Sequence, residues 1–169
     1  FNNLDIGFGT DDLDEVLGNH PHAIIWALPS RVCRQVAKDV AGQFSGSEIL
    51  IHVTKGLEPG SLKRISEVLS EEIPCPRIGV LSGPNLAGEL AKGEPAAAVI
   101  ASPFDEVVQA GQILLSGPLF RVYGAKNMVG VEWAGTLKNI LAIASGCLDG
   151  LGFGWNARSL LITRGLAEM

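Results

Sequence analysis

His22-Ala23-Ile24-Ile25-Trp26-Ala27-Leu28 is a short continuous apolar run closed by Pro29. Such a run suits a β-strand buried on both faces. A helix should follow, because Ser30 can cap it and Val32, Cys33, Val36, Ala37, Val40 and Phe44 recur at helical spacing. The cycle repeats: Glu48 to Thr54 reads as a strand, Ser61 to Glu72 as a helix with Leu62, Ile65, Val68 and Leu69 inward, and Arg77 to Leu81 as a strand. Leu86 to Lys92 reads as a short helix, Ala96 to Ala101 as a strand, Asp105 to Leu115 as a helix and Leu119 to Tyr123 as a strand. Alternation of this kind implies right-handed crossovers and a mainly parallel sheet, so the class is α/β and doubly wound.

From about Asn127 the strand pattern stops, and Val129 to Leu148 and Trp155 to Met169 read as two helices. Residues 1–125 are therefore expected to belong to a sheet domain and residues 126–169 to begin an all-helical one. The chain starts at Phe1 and stops within an apolar helical pattern at Met169, which reads as an internal piece of a longer polypeptide.

The 169 residues carry a formal net charge of −5 with mean hydropathy +0.28. That balance argues against nucleic acid or an anionic membrane surface as the main partner and leaves a small molecule. No apolar run is long enough to span a bilayer, and Phe1 to Asp14 lacks the basic start and apolar core of a signal peptide. The expected location is cytoplasmic. Cys33, Cys75 and Cys147 lie far apart and read as reduced core residues, with no C-x-x-C pair. No metal is expected: His20 and His22 fit a solvated turn, and His52 fits a core histidine inside a strand. Gly7-Phe8-Gly9 and the Gly150-to-Gly154 stretch do not complete G-x-G-x-x-G between a strand and a helix, so neither is a dinucleotide fingerprint.

Ligands of open parallel sheets bind beyond the carboxyl ends of the strands. Here those exits are Pro29-Ser30, Thr54-Lys55-Gly56 and Ser82-Gly83-Pro84-Asn85, three polar turns that share one crevice if their strands are neighbours. Between Val129 and Leu148 the only formal charges are Glu132 and Lys138, in a helix apolar enough to be buried nearly all round. Val131, Ala134, Gly135, Ala142 and Ser145 fall within about 60° of Lys138 on the helical wheel, which leaves room for a flat ligand. Desolvation lowers a lysine's pKa and suits it to acid/base work on a carbonyl or hydroxyl. A snorkelling lysine beside a close helix contact is the competing reading. Lys55 is either a cation reaching into the crevice or a plain turn lysine, and Gly83 and Pro84 form a rigid turn with Asn85 after it. Glu89 reads rather as an exposed helical glutamate than as a brace.

Taken together, Leu28-Pro29-Ser30, Thr54-Lys55-Gly56-Leu57-Glu58, Leu81-Ser82-Gly83-Pro84-Asn85-Leu86-Ala87-Gly88-Glu89, Phe120-Arg121-Val122-Tyr123, Val129-Gly130-Val131-Glu132, Leu137-Lys138-Asn139, and Asp149 to Gly152 continuing to Thr163-Arg164-Gly165 resemble bacterial-type NAD(P)-dependent glycerol-3-phosphate dehydrogenases. The resemblance implies the later part of a doubly wound parallel-sheet (Rossmann-like) domain, lacking its first βα units, followed by the start of an all-helical domain. It implies NAD or NADP as cofactor and hydride transfer between dihydroxyacetone phosphate and sn-glycerol 3-phosphate. By the same resemblance Lys138 is the proton-transferring lysine and contacts substrate, Lys55 touches substrate and cofactor, Gly83 and Asn85 contact substrate, and Ala87 contacts cofactor. Trp133 and Thr136 depart from the smaller residues usual beside that lysine, and Ala27 from a usual valine. The glycine-rich cofactor turn and the substrate-phosphate residues of the family are absent, so the stretch alone is expected to be inactive. Other two-domain dehydrogenases of the 6-phosphogluconate or ketopantoate reductase kind, and a dinucleotide-binding module without turnover, are the alternatives. The later helices could also form a homodimer or domain interface.

Overall fold

The computed structural model describes residues 9–18 and 20–169. Gly7 and Phe8, in the first glycine pair considered above, lie outside the described residues. A short helix α1 (Leu13–Gly18) precedes the sheet, followed by β1 (Ala23–Trp26), α2 (Cys33–Val40), β2 (Ile49–His52), α3 (Ile65–Glu72) and β3 (Ile78–Ser82). Then come α4 (Ala87–Ala91), β4 (Ala96–Ala101), α5 (Asp105–Leu115), β5 (Phe120–Ala125), α6 (Met128–Gly150) and α7 (Trp155–Glu168). The strands lie in the order β1-β2-β3-β4-β5.

Alternation of side chains along the strands divides the core in two. Leu50 and Ile78 face α2 and α3 in a cluster with Trp26, Cys33, Ile65 and Leu69, whereas Ile51 and Ile100 face α5 through Val107. Helices on both faces make the sheet doubly wound. The α5 face depends on missing side chains: a Cβ at Gly79 would stand 2.7 Å from Val107 Cγ1, and one at Gly111 2.8 Å from Ile100 Cγ1. Valine has little rotamer freedom to yield. Gly79→Ala is therefore expected to lose about 1 to 3 kcal/mol of unfolding free energy by overpacking, read by urea denaturation.

The sheet is mainly parallel, as its alternating pattern implies, but β3 pairs with β4 antiparallel. The cause is the short connection over residues 83–95. A parallel return needs a crossover that travels the length of a strand, and a five-residue α4 covers only about 7 to 8 Å. The chain turns back instead, so β4 begins beside the exit of β3. Strand β5 follows β4 and runs away from that exit, and α6 must then travel back toward it.

Several local expectations change. The helix before β2 starts at Cys33 rather than after Ser30, because a turn closed by Val32 N donating to Pro29 O comes first. It stops at Val40, and Ala41–Gln43 tighten into a 3-10 turn before Phe44. Leu62 is 68% exposed with φ +58° rather than inward. Residues 57–64 close a loop, in which Glu58 N donates to Lys63 O and Leu57 bridges Arg64; α3 starts only after it. Ile25 is 43% exposed, because β1 pairs on one side only among the described residues. Cys33 and Cys75 are buried and Cys147 is exposed, all three as free thiols. Helix α6, expected to be buried nearly all round, buries only Glu132 and Gly135, since the described residues cover one of its faces. No helix among the described residues is long and apolar enough to cross a membrane.

Candidate active site

The exits of β1, β2 and β3 lie side by side because those strands are parallel neighbours. Thr54 Oγ1 donates to Leu28 O at 2.7 Å, tying the second exit to the first. Gly56 takes φ +109°, and a Cβ there would approach Ser30 Oγ to 4.0 Å. The left-handed backbone at this position favours glycine. From the same turn Lys55 Nζ donates to Gly83 O at 3.4 Å, joining the second exit to the third.

The third exit tolerates no side chain at residue 83. A Cβ on Gly83 would stand 2.7 Å from Ala97 O, 2.7 Å from Asn85 Oδ1 and 3.0 Å from Ala98 Cα. Asn85 donates through Nδ2 to Ala97 O at 2.9 Å, so its amide fastens the turn to the start of β4. Ala87 is exposed at the first residue of α4. Pro84, Leu86, Glu89, Leu90, Glu94 and Pro95 line an open hollow of about 380 Å³ on that side. Glu89 is exposed there.

Helix α6 brings the second lysine. Asn127 caps it, its Oδ1 accepting from Gly130 N at 2.9 Å, as asparagine does at helix starts. One turn on, Glu132 is buried against β2 and α3, and Gly135 passes so close to Ser82 that a Cβ would stand 2.6 Å from its Oγ. Lys138, half-buried, follows about one further turn along the helix. Burial lowers the Lys55 pKa, and the positive charge of Lys138 lowers it further. The two ammonium groups are thus close enough for their charges to interact. The structure brings Lys55 and Gly83 into contact, with Asn85 two residues on; Ala87 follows on α4, and Lys138 lies on α6 about one turn beyond the Gly135 contact with Ser82 at the end of β3.

Two further arrangements escaped the sequence reading. Arg34 on α2 holds Glu58 with Nε at 2.7 Å and Nη2 at 2.8 Å, and also pairs with Glu71 and Glu72. The hydrogen bond from Arg34, and then that from Ser61, hold the Glu58 carboxyl at about 2. This clamp fixes the loop three residues beyond Lys55. No local pattern signals a pair so far apart in sequence. The other arrangement is legible in retrospect. The Glu132 carboxylate accepts from Ser66 N at 3.0 Å, Ser66 Oγ at 2.6 Å and Arg64 Nη1 at 2.7 Å, and His52 Nε2 lies 3.2 Å from its Oε1. A lone acid in an apolar helix and a lone histidine in a buried strand both need partners. Burial alone would push the Glu132 carboxyl up, but the contacts from His52 and Ser66 outweigh it and hold it at about 2.

Comparison with known proteins identifies the family of the chain. Residues 8–108 match the family model described as NAD-dependent glycerol-3-phosphate dehydrogenase N-terminus, and residues 127–169 match its C-terminus counterpart. Over 158 residues the chain is 40% identical to glycerol-3-phosphate dehydrogenase (NAD(P)+) of Clostridium perfringens, covering 94% of this chain and 47% of the relative. The crystal structure of glycerol-3-phosphate dehydrogenase from Coxiella burnetii superposes with a TM-score of 0.82 at 39% identity, covering 93% of this chain and 48% of that one. A ketopantoate reductase from Ralstonia eutropha, at 14% identity and a TM-score of 0.53 over 72% of this chain and 39% of its own, shares the fold alone. The chain spans about half the length of the curated relatives it matches. With its sheet half and its helical half each matching in order, the chain belongs to the NAD-dependent glycerol-3-phosphate dehydrogenase family.

Proposed function

We propose that the protein transfers hydride reversibly between NAD(P)H and carbon 2 of dihydroxyacetone phosphate, giving sn-glycerol 3-phosphate. The observation that carries this reading is Lys55 reaching Gly83 O across the glycine-lined exits of parallel strands, with the charge of Lys138 on α6 close enough to lower the Lys55 pKa beyond what burial does. Two ammonium groups beside a carbonyl-edged turn suit an electron-rich ligand that carries phosphates and a reducible carbonyl. The same donor set fits a nicotinamide dinucleotide, with Lys55 and Ala87 as its contacts.

When bound, the dihydronicotinamide supplies the hydride. Lys138 gives a proton to the oxygen on carbon 2 as the hydride arrives, and takes it back in the reverse direction. Its charge also stabilises the oxygen as negative charge develops there. Lys55 adds a second positive charge, and its bond to Gly83 O holds it across the strand exits. Gly83 and Asn85 orient the substrate, their turn being fixed to β4 before any ligand arrives. Residues 1–125 serve as part of the dinucleotide-binding domain and residues 126–169 as the beginning of the helical substrate domain. The cofactor is NAD or NADP, and the setting cytoplasmic. Exposed Ile143 on α6, Leu151 just after it, and Trp155 and Leu160 on α7 favour a further covering surface, supplied by more of the helical domain or by a second copy in a homodimer.

Absorbance at 340 nm tests the reading in a full-length protein that carries this stretch. Oxidation of NADH or NADPH that depends on dihydroxyacetone phosphate is expected. No such oxidation with either cofactor contradicts it.

A further inference from the structure

We propose that Glu132 and His52 are a positioning pair that sets how far apart the Lys55 and Lys138 ammonium groups stand. The two residues occupy the two segments that deliver the lysines. His52 ends β2 three residues before Lys55, and Glu132 lies on α6 six residues before Lys138. His52 is fully buried and Glu132 only 8% exposed, with Nε2 to Oε1 at 3.2 Å. This contact joins β2 directly to α6, while Arg64 and Ser66 hold the same carboxylate from α3. Neither ring nitrogen of His52 makes a hydrogen bond among the described residues, so the 3.2 Å approach of Nε2 to Glu132 Oε1 is an ion-pair contact and the charged group the ring faces lies on α6.

Packing alone does not account for a charge here. An apolar residue of similar volume often serves a buried position as well as an ion pair does. What a directional contact adds is register. Glu132 is the one buried charged group on α6, and the next buried contact along it, Gly135 against Ser82, is steric and undirected. A slip of one residue turns the helix by about 100° and carries Lys138 away from Lys55. The Glu132 contacts oppose that slip, and His52 ties the result to the strand that presents Lys55.

The test uses a full-length protein carrying this stretch and its reduction of dihydroxyacetone phosphate, so its kinetic arm rests on the proposed reaction. Glu132→Gln keeps the shape and removes the charge. Displacing a catalytic group by about 1 Å costs on the order of 10²-fold, so kcat should fall by that order while the KM for cofactor stays within about twofold. A second arm needs no turnover: the titration of Lys55, followed by 13C NMR of dimethylated lysines. If Lys138 moves away, the Lys55 pKa rises, whereas loss of the Glu132 negative charge without movement lowers it. A rise with the kinetic split supports the pairing. An unchanged kcat, or a Lys55 titration that is unmoved or lowered, overturns it. Should Glu132→Gln fail to fold, Ser66→Ala removes only one donor to the carboxylate and should give the same changes at roughly three- to tenfold in kcat; no change in that variant likewise overturns the pairing. A wild-type protein that reduces no ketone sinks the proposed reaction but leaves the NMR arm to judge the pair.

Discussion

Lys138→Met is expected to lower kcat for ketone reduction by roughly 10²- to 10⁴-fold in a full-length protein carrying this stretch, about 3 to 5 kcal/mol of transition-state stabilisation. Methionine retains the length and apolar stem of lysine and removes only the ammonium. The half-buried position is therefore filled and α6 keeps its contacts through Glu132 and Gly135. What is lost is the proton for the oxygen on carbon 2 and the charge that steadies it. The kcat value should fall together with kcat/KM, the pattern of an interaction made in the transition state. One electrostatic consequence is independent of turnover: with Lys138 gone, a cause of the lowered Lys55 pKa disappears, so Lys55 should titrate closer to an ordinary lysine. A variant with near-normal kcat would remove Lys138 from the chemistry.

Acid sensitivity follows from Glu132. Its carboxyl lies at about 2 in the folded protein against an ordinary value of 4.5. A carboxylate whose folded pKa is depressed contributes stability that is fully present above the unfolded value and is lost as pH falls through the folded one. For this buried group the contribution is about 3 kcal/mol, present above about pH 4.5 and withdrawn between there and about pH 2. Urea unfolding of wild type and Glu132→Gln at several pH values isolates it from other carboxylates, Glu58 and Glu48 among them, whose pKa values are also lowered. The wild type should be more stable by about 3 kcal/mol near neutrality, with most of the gap gone by about pH 3. A gap of the same size at pH 3 and pH 7 would show that the lost charge is not its source.

The elements were legible because their patterns are local. The β4 and α5 boundaries at Ala96–Ala101 and Asp105–Leu115 coincide with the sequence reading, since alternation of short apolar runs with helical spacing needs no distant information. Strand direction is different. Nothing in the composition of β4 tells which way it runs; only the shortness of residues 83–95 carries that information, and it needs to be weighed against the distance a crossover must cover. Leu62 was misread because its spacing from Ile65 and Leu69 fits a helix, while the Gly60-Ser61 turn before it reverses the chain. For the candidate site, the strand exits and the isolated Lys138 could be found from sequence, but the supports behind them could not be found in the same way. Arg34 and Glu58 meet across 24 positions, and Glu132 and His52 across 80. Such pairs exist only once the sheet has placed its neighbours.

The role of the Lys138 ammonium is tested most directly by giving it back. In Lys138→Ala, the missing stem leaves space at the half-buried position, and a small primary alkylammonium ion added to the solution can supply both proton and charge. Single-turnover reduction of dihydroxyacetone phosphate, followed at 340 nm, should be slow in the variant and should rise with alkylammonium concentration, saturating as the vacated space fills. A rate that stays at the variant's level whatever amine is added, or a variant as fast as wild type without it, would contradict the account.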